Sequence, residues 1–308
     1  MFCSPRMAPA SFAKSLSEDL IRSPWLQSVA QEGGGNNMEA TNTNTEGLEI
    51  LREPLNDRLY LVDSTPESRD EELPSKLIEM AKEKGKGKVL VRIPFPARKP
   101  FLNGGYVQEA RVRGMFGRED GLLLSHFLDE SRNQSLRDDE MAILHEGIKT
   151  PSSPSKAGTP LELLTEEDAE AIASLADSQA AYPVSDWNAD EVKEMMSEGT
   201  RFLGIRDGEA LIAYLAVRPK TRGRLADLLG VASLAERLDR EQMRAALADM
   251  HAKMKAEGQR NIFTIVRARA GEVNLALSAE GYHYVGSLRG DTRFGDDLEN
   301  MNVWQRRL

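Results

Sequence analysis

"ASLAERLDREQMRAALADMHAKMKAEG" (232–258) decides the fold. Its first residues finish an extended run. Met243, Leu247, Met250 and Met254 then recur on one face, the period of an amphipathic helix. On either side stand "ADLLGVASL" (226–234) and "NIFTIVRA" (261–268), both apolar enough to be strands, the second of them buried. A strand, a helix of this length and a second strand make one parallel crossover. Where the first strand turns into the helix, free backbone N–H groups point outward and an anion can sit on them. Here the turn carries Glu236, Asp239 and Glu241 in place of the usual glycines. Two readings follow. The turn is a phosphate site that side chains have filled, with Arg237, Arg240 and Arg244 as clamps, or it is a structural helix capped by Asp239 with Gln242 three residues on.

Outward from this unit the pattern continues. Thr165 with Asp168 opens a helix to about Ala176, and Asn188 caps another through Met196. "RFLGIRDGEALIAYLAVRP" (201–219) reads as two strands about Asp207-Gly208. A short helix precedes "GYHYVGSLR" (281–289), and "MNVWQRR" (301–307) is a last strand. The element order is β-α-α-β-β-β-α-β-α-β-β. The front part reads as a strand at 58–64, a helix at 73–85 ending on Gly85, a strand at 88–94, and two strands at 104–114 and 121–128 about a turn. The fold class expected is α/β, a mixed sheet flanked by helices with a smaller α/β lobe in front. "EMAKEKGKGKVLVRIP" (79–94) and "KMKAEGQRNIFTIVRA" (253–268) share helix, glycine and strand, and each is followed by Gly-Tyr, at Gly105-Tyr106 and Gly281-Tyr282. The front lobe is thus either a partial duplicate of the back lobe or an ordinary α/β unit that echoes it.

"GIKTPSSPSKAGTP" (147–160) cannot make a packed element. The expected division is a disordered segment 1–46, a lobe 47–147, a linker 148–160 and a lobe 161–308. Ser, Gly, Asn and Thr dominate the first segment, and Met38 is a candidate translation start that the N-terminal peptide would settle. A formal charge of −9 over 308 residues argues against a general nucleic-acid binder. One cysteine, Cys3, excludes an internal disulfide framework and fits a reducing cytoplasm. No stretch has the length of a membrane span or the form of a signal peptide. His126, His145, His251 and His283 have no metal-ligand spacing, so no metal is expected.

"LNDRLYLVDS" (55–64), "GGYVQEARVRGMFGREDGLLLSHFL" (104–128), "FLGIRDGEALIA" (202–213) and "LENMNVWQRRL" (298–308) together resemble the β-lysine N-acetyltransferases, two-lobed members of the GNAT-type N-acetyltransferases. The resemblance spans nearly all of 47–308. It implies a GNAT-type mixed sheet in which strands 226–234 and 261–268 splay to admit the pantetheine arm of acetyl-CoA. The implied cofactor positions are Ser233, Leu234, Arg237, Leu238, Asp239, Arg240, Glu241 and Gln242 at the turn, and Asn274. The family's turn glycines fall on Asp239 and Glu241, where side chains stand in the way of bare-backbone approach. The family's tyrosine acid falls on Leu277, which leaves Tyr282 and Tyr284 as candidate catalytic groups. An acceptor with two ammonium groups and one carboxylate calls for anions and a cation, for which Asp227, Glu299 and Arg267 (or Arg269) are the candidates. The family's acid near the end of strand 226–234 falls on Gly230. The implied function is acetyl transfer to a small-molecule amine, with no nucleic-acid or membrane partner and a homodimer as the candidate assembly. The alternative is a GNAT-fold pseudoenzyme that binds or regulates.

Overall fold

All seven residues of Lys88–Pro94 are buried, and such a run is a strand inside a sheet covered on both faces. It is β4 of a thirteen-stranded mixed sheet. The computed structural model describes residues 43–45, 48–53, 56–62, 71–155, 161–177, 187–220, 224–233 and 240–308, within one unit spanning Thr41–Leu308. In chain order the front half holds β1 (Thr43–Thr45), β2 (Leu48–Glu53), β3 (Arg58–Leu61), α1 (Leu73–Glu83), β4, α2 (Arg98–Asn103), β5 (Val107–Phe116), β6 (Glu119–Phe127) and α3 (Asp138–Lys149). The back half holds β7 (Glu162–Leu163), α4 (Ala169–Asp177), α5 (Ala189–Ser197), β8 (Arg201–Asp207), β9 (Ala210–Pro219), β10 (Leu225–Ser233), α6 (Arg240–Ala256), β11 (Asn261–Arg267), α7 (Gly271–Ala279), β12 (His283–Phe294) and β13 (Asp297–Arg307). The expected α/β class and back-half element order are both present.

The sheet order, β1-β2-β3-β4-β6-β5-β12-β13-β11-β10-β9-β8-β7, reads nearly the same from either end. β3 and β4 pair in parallel over four residues, Arg58↔Lys88 to Leu61↔Val91. β10 and β11 do the same from Leu225↔Asn261 to Leu228↔Thr264. A register shift lies between Gln108 and Ala110 in β5 and between Tyr284 and Gly286 in β12. The helix caps agree too: Lys86 N donates to Ala81 O and Gln259 N to Met254 O, while Tyr106 N donates to Phe101 O and Tyr282 N to Leu277 O. The two halves meet where β5 and β12 pair, at Gly286↔Ala110. A Cβ on Gly286 would lie 2.0 Å from Glu109 O, so only glycine lets the two backbones approach.

Four apolar clusters hold the layers. α1 covers β3, β4 and β6 through Leu73, Leu77 and Ala81. α6 and α7 cover one face of the back sheet through Leu247, Met250, Met254 and Leu277, and α4 and α5 cover part of the other through Ile172 and Val192. The fourth joins Tyr60, Leu90 and Leu123 of the front half to Leu225, Phe263, Met301 and Val303 of the back half. β4 and β10 are far apart in the strand order, so this contact means that the sheet curls back upon itself.

Some boundaries differ from the sequence reading. α3 runs through Lys149, two residues into the expected linker, and stops where Thr150 becomes extended ahead of Pro151. The linker residues beyond it dock on the back half, with Ser153 N donating to Ala279 O and Ser155 N to Glu280; residues 156–160 lie outside the described residues. The hairpin loop is Gly208-Glu209, one residue later than expected, because register Asp207↔Ala210 places it there. Gly208 takes φ +62°, the left-handed first position of such turns. Most of 1–46 lies outside the described residues, while Thr43–Thr45 forms β1.

Candidate active site

β10 and β11 part company after Leu228↔Thr264. β10 continues along β9 to Ser233↔Ala213, and β11 continues along β13 to Arg267↔Met301. The register of β10 shifts between Leu228 and Gly230, and a bulge of this kind bends the strand that carries it. The buried Thr264 Oγ1 donates to Leu228 O at 2.7 Å, the last bridge before the gap. The result is an opening between the C-terminal ends of two parallel strands, where open α/β sheets bind their ligands.

Charged groups collect on the face of this region that the front half covers. Arg267 grips Glu299 with two hydrogen bonds of 2.6 and 2.7 Å and lies over the Phe294 ring at 4.5 Å. Glu299 is almost wholly buried, and Arg269 reaches it at 3.7 Å. Asp227 lies 3.6 Å from Arg92 of β4, whose guanidinium also sits 6.0 Å from the Phe263 ring. The structure therefore brings Arg267 and Glu299 together and sets Asp227 against an arginine from the other half. Arg92 escaped the sequence reading; its one signal is that it interrupts the apolar run "KVLVRIP" (88–94).

At the start of α6 the described cations are engaged. Arg240 makes a bidentate pair with Glu272 of α7, both contacts at 2.6 Å, which holds the Glu272 carboxyl below its usual range. Arg244 meets Glu241 at 2.8 Å and the buried Glu280 at 3.1 Å, and donates to Ser153 O. Glu241 and Gln242 are exposed on the first turn. Leu234, Arg237, Leu238 and Asp239 lie outside the described residues, as does the side chain of Ser233.

Asn274, expected at the cofactor, is fully buried. Its amide nitrogen donates to Arg267 O at 3.0 Å and Ala270 O at 2.8 Å, and its oxygen accepts from Asn302 at 3.0 Å and Trp304 Nε1 at 2.9 Å. This geometry ties the end of β11 to α7 and β13. The Tyr282 hydroxyl is buried at 2.8 Å from His251 Nε2. Arg306 donates to His251 Nδ1 at 2.7 Å; arginine has only donors, so the histidine proton sits on Nε2 and points at Tyr282. Burial and the neighbouring Arg306 charge push His251 down to about 3. The Tyr284 hydroxyl lies 2.7 Å from Ser287 Oγ, which donates to Asn302. Burial raises the Tyr284 phenol, opposed by the Ser287 hydrogen bond and reinforced by Glu109. Neither His251 nor Asn302 was singled out for a role in the sequence. Among the described residues no cluster of three His, Cys, Asp or Glu could hold a metal ion, and no helix is long and apolar enough to cross a membrane.

No family model matches the chain. Over 259 residues it is 24% identical to the β-lysine N(6)-acetyltransferase of Methanococcus maripaludis, covering 82% of this chain and 93% of that protein. The chain is similar to β-lysine N-acetyltransferases along most of its length. The enzyme of that name from Methanosarcina mazei is 21% identical over 78% of this chain and 98% of its own. Among solved structures, the ribosomal-protein-S18-alanine N-acetyltransferase of Escherichia coli aligns with TM-score 0.43 at 14% identity, over 48% of this chain and 92% of that one. The resemblance read from the sequence is thus borne out by the curated relatives.

Proposed function

We propose that this protein transfers acetyl from acetyl-CoA to an amine of a small diamino acid, β-lysine first among candidates, giving a product suited to a compatible solute. The observation that carries the reading is the divergence of β10 and β11 beyond Leu228 and Thr264, in a chain whose curated relatives bear that substrate's name. What supports a place for the cofactor's arm there is that β10 beyond Leu228 has no ladder pair to β11. Bound acetyl-CoA would supply the thioester acetyl group. The backbone of 229–233 and the start of α6 would hold it.

The chain's own residues would orient a neutral amine and manage two protons. Asp227 and Glu299 are anions for the two substrate ammonium groups, and Arg267 is the cation for the carboxylate. Arg267 and Glu299 already neutralise each other, so a substrate bearing both charges can join the pair without leaving either one unmatched. Tyr284, whose phenol burial keeps protonated, is the proposed proton donor; Tyr282 stays committed to His251 in the core. The test is thiol release from acetyl-CoA with β-lysine, α-lysine and no amine, with the product read by mass spectrometry. Release that depends on β-lysine supports the reading, and none with any diamino acid overturns it.

The engagement of Arg240 and Arg244 by carboxylates favours a second reading, a protein that keeps the fold without the cofactor. Calorimetry separates the two: saturable micromolar acetyl-CoA binding supports the enzyme, and no binding at millimolar ligand supports the rival.

A further inference from the structure

The near-twofold relation between the halves places one charged site beside its counterpart. In the front half, Lys88 at the start of β4 is fully buried and lies 3.0 Å from Glu109 and 2.9 Å from Asp291. Arg58 also pairs with Asp291, and Arg289 reaches Glu109 at 3.2 Å. Two cations at the strand starts are thus matched by two anions, one on the β5 bulge and one on β12. In the back half, the registers put Leu225↔Asn261 where Arg58↔Lys88 stands. The contact Gly286↔Ala110 and the shared bulges put Val285 where Glu109 stands. Continuing along the strands, Gly114 and Gly290 correspond, both with positive φ, of 68° and 46°. Met115 then stands where Asp291 does, and Arg113 where Arg289 does. At these positions the back half has lost both anions and, at Leu225 and Asn261, the two strand-start cations they match; Arg113 alone keeps the charge of its counterpart, Arg289.

A cavity of about 890 Å³ opens there. Arg113 and Arg118 of the β5–β6 hairpin face Arg224, Arg260 and Arg307 of the back half across it, and no acidic side chain lines it. Among the described residues none of these five arginines has an ion pair, although most of the other described arginines of this acidic chain are paired with carboxylates. Like charges facing one cavity repel, and guanidinium forks match phosphate oxygens two at a time. The site lies at the N-terminal ends of β10 and β11, the opposite edge of the sheet from their divergence. Its back-half arginines lie about five residues of strand, at roughly 3.3 Å each, from the proposed acetyl-transfer gap, while Tyr284, the proposed proton donor, lines this cavity too, so the two sites adjoin.

We propose that this cavity binds a small molecule bearing at least two phosphate charges, which neutralises the arginines that line it. The volume suits a nucleotide-sized ligand. The claim does not rest on the acetyltransferase reading.

The test is calorimetry on the full chain at near-physiological salt, with inorganic pyrophosphate and ATP as separate ligands. The expected result is saturable one-to-one binding of at least one of them, weakened about tenfold or more when Arg224→Ser, Arg260→Ser and Arg307→Ser are combined. Binding of both assigns the site to the phosphate groups, and binding of ATP alone assigns it to a nucleotide. These arginines are exposed, and an unchanged melting curve would show that the variant is folded. No saturation with either ligand at millimolar concentration overturns the proposal, as does a triple variant that binds as tightly as the parent. Competitive displacement by acetyl-CoA also overturns it, because the arginines would then belong to the cofactor. A DNA duplex binding more tightly than both small anions would replace the ligand with a macromolecule.

Discussion

His251 is a neutral histidine enclosed between an arginine and a tyrosine. Its pKa in the folded chain, about 3, lies below the roughly 6.5 of an exposed imidazole. As pH falls below that value the unfolded chain takes up a proton that the folded chain refuses, so stability falls with pH across this window. At pH 5 the loss is about 2 kcal/mol from this group alone. Urea midpoints at pH 8 and pH 5 should show it, and His251→Gln should flatten the difference while lowering stability at pH 8. Asp291, held well below the usual carboxylate range against desolvation by Arg58 and Lys88, acts on the acid side: its contribution is present above about pH 4 and lost as pH falls further. Asn274 gives a second residue-level test. Asn274→Ala leaves the buried Trp304 Nε1–H and the Asn302 amide without their acceptor, and about 2–4 kcal/mol of stability should go. If Asn274 instead contacts acetyl-CoA, the variant would keep its urea midpoint and lose cofactor affinity.

At the scale of elements, the strands and helices with a strong period of their own were legible: the 73–83 helix, the 88–94 strand, and the whole 201–267 run. α3 was not, because its buried residues are Glu140, Leu144 and Gly147, a face with a single large apolar side chain. Gly147 is instead a packing contact, since a Cβ there would meet Trp304 at 3.5 Å. The site was half legible for a related reason. Asp227, Arg267 and Glu299 stand out as charges in apolar strands, but Arg92 reaches Asp227 only because the sheet curls, and no local pattern encodes that. Two predictions belong here. Asp239→Gly combined with Glu241→Gly removes two carboxylates from the sequence at the entry to α6, where the proposed cofactor site would have them compete with phosphate, and should lower the acetyl-CoA dissociation constant; calorimetry that shows no tightening would discard this account of the turn. Gly286→Ala drives a methyl into Glu109 O and should cost about 2–4 kcal/mol by urea denaturation, with the loss felt at the junction of the halves.

For the molecule as a whole, the question is whether either half stands alone. Phe263, Met301 and Val303 are fully or almost fully buried, and the front half supplies part of their cover. A chain cut to 161–308 exposes that apolar face, and such patches drive association. Its expected behaviour is aggregation or strong binding of a hydrophobic dye, where the full chain shows neither; a monomeric, cooperatively melting fragment would make the two lobes independent domains.

The contact at Gly286 and Ala110 has a consequence for assembly. An isologous interface sets one patch against its own copy, and here an antiparallel strand pair with a bulge on each side makes such a contact within one chain. The strand edge that a half-length chain would offer to a second copy is therefore already occupied from inside.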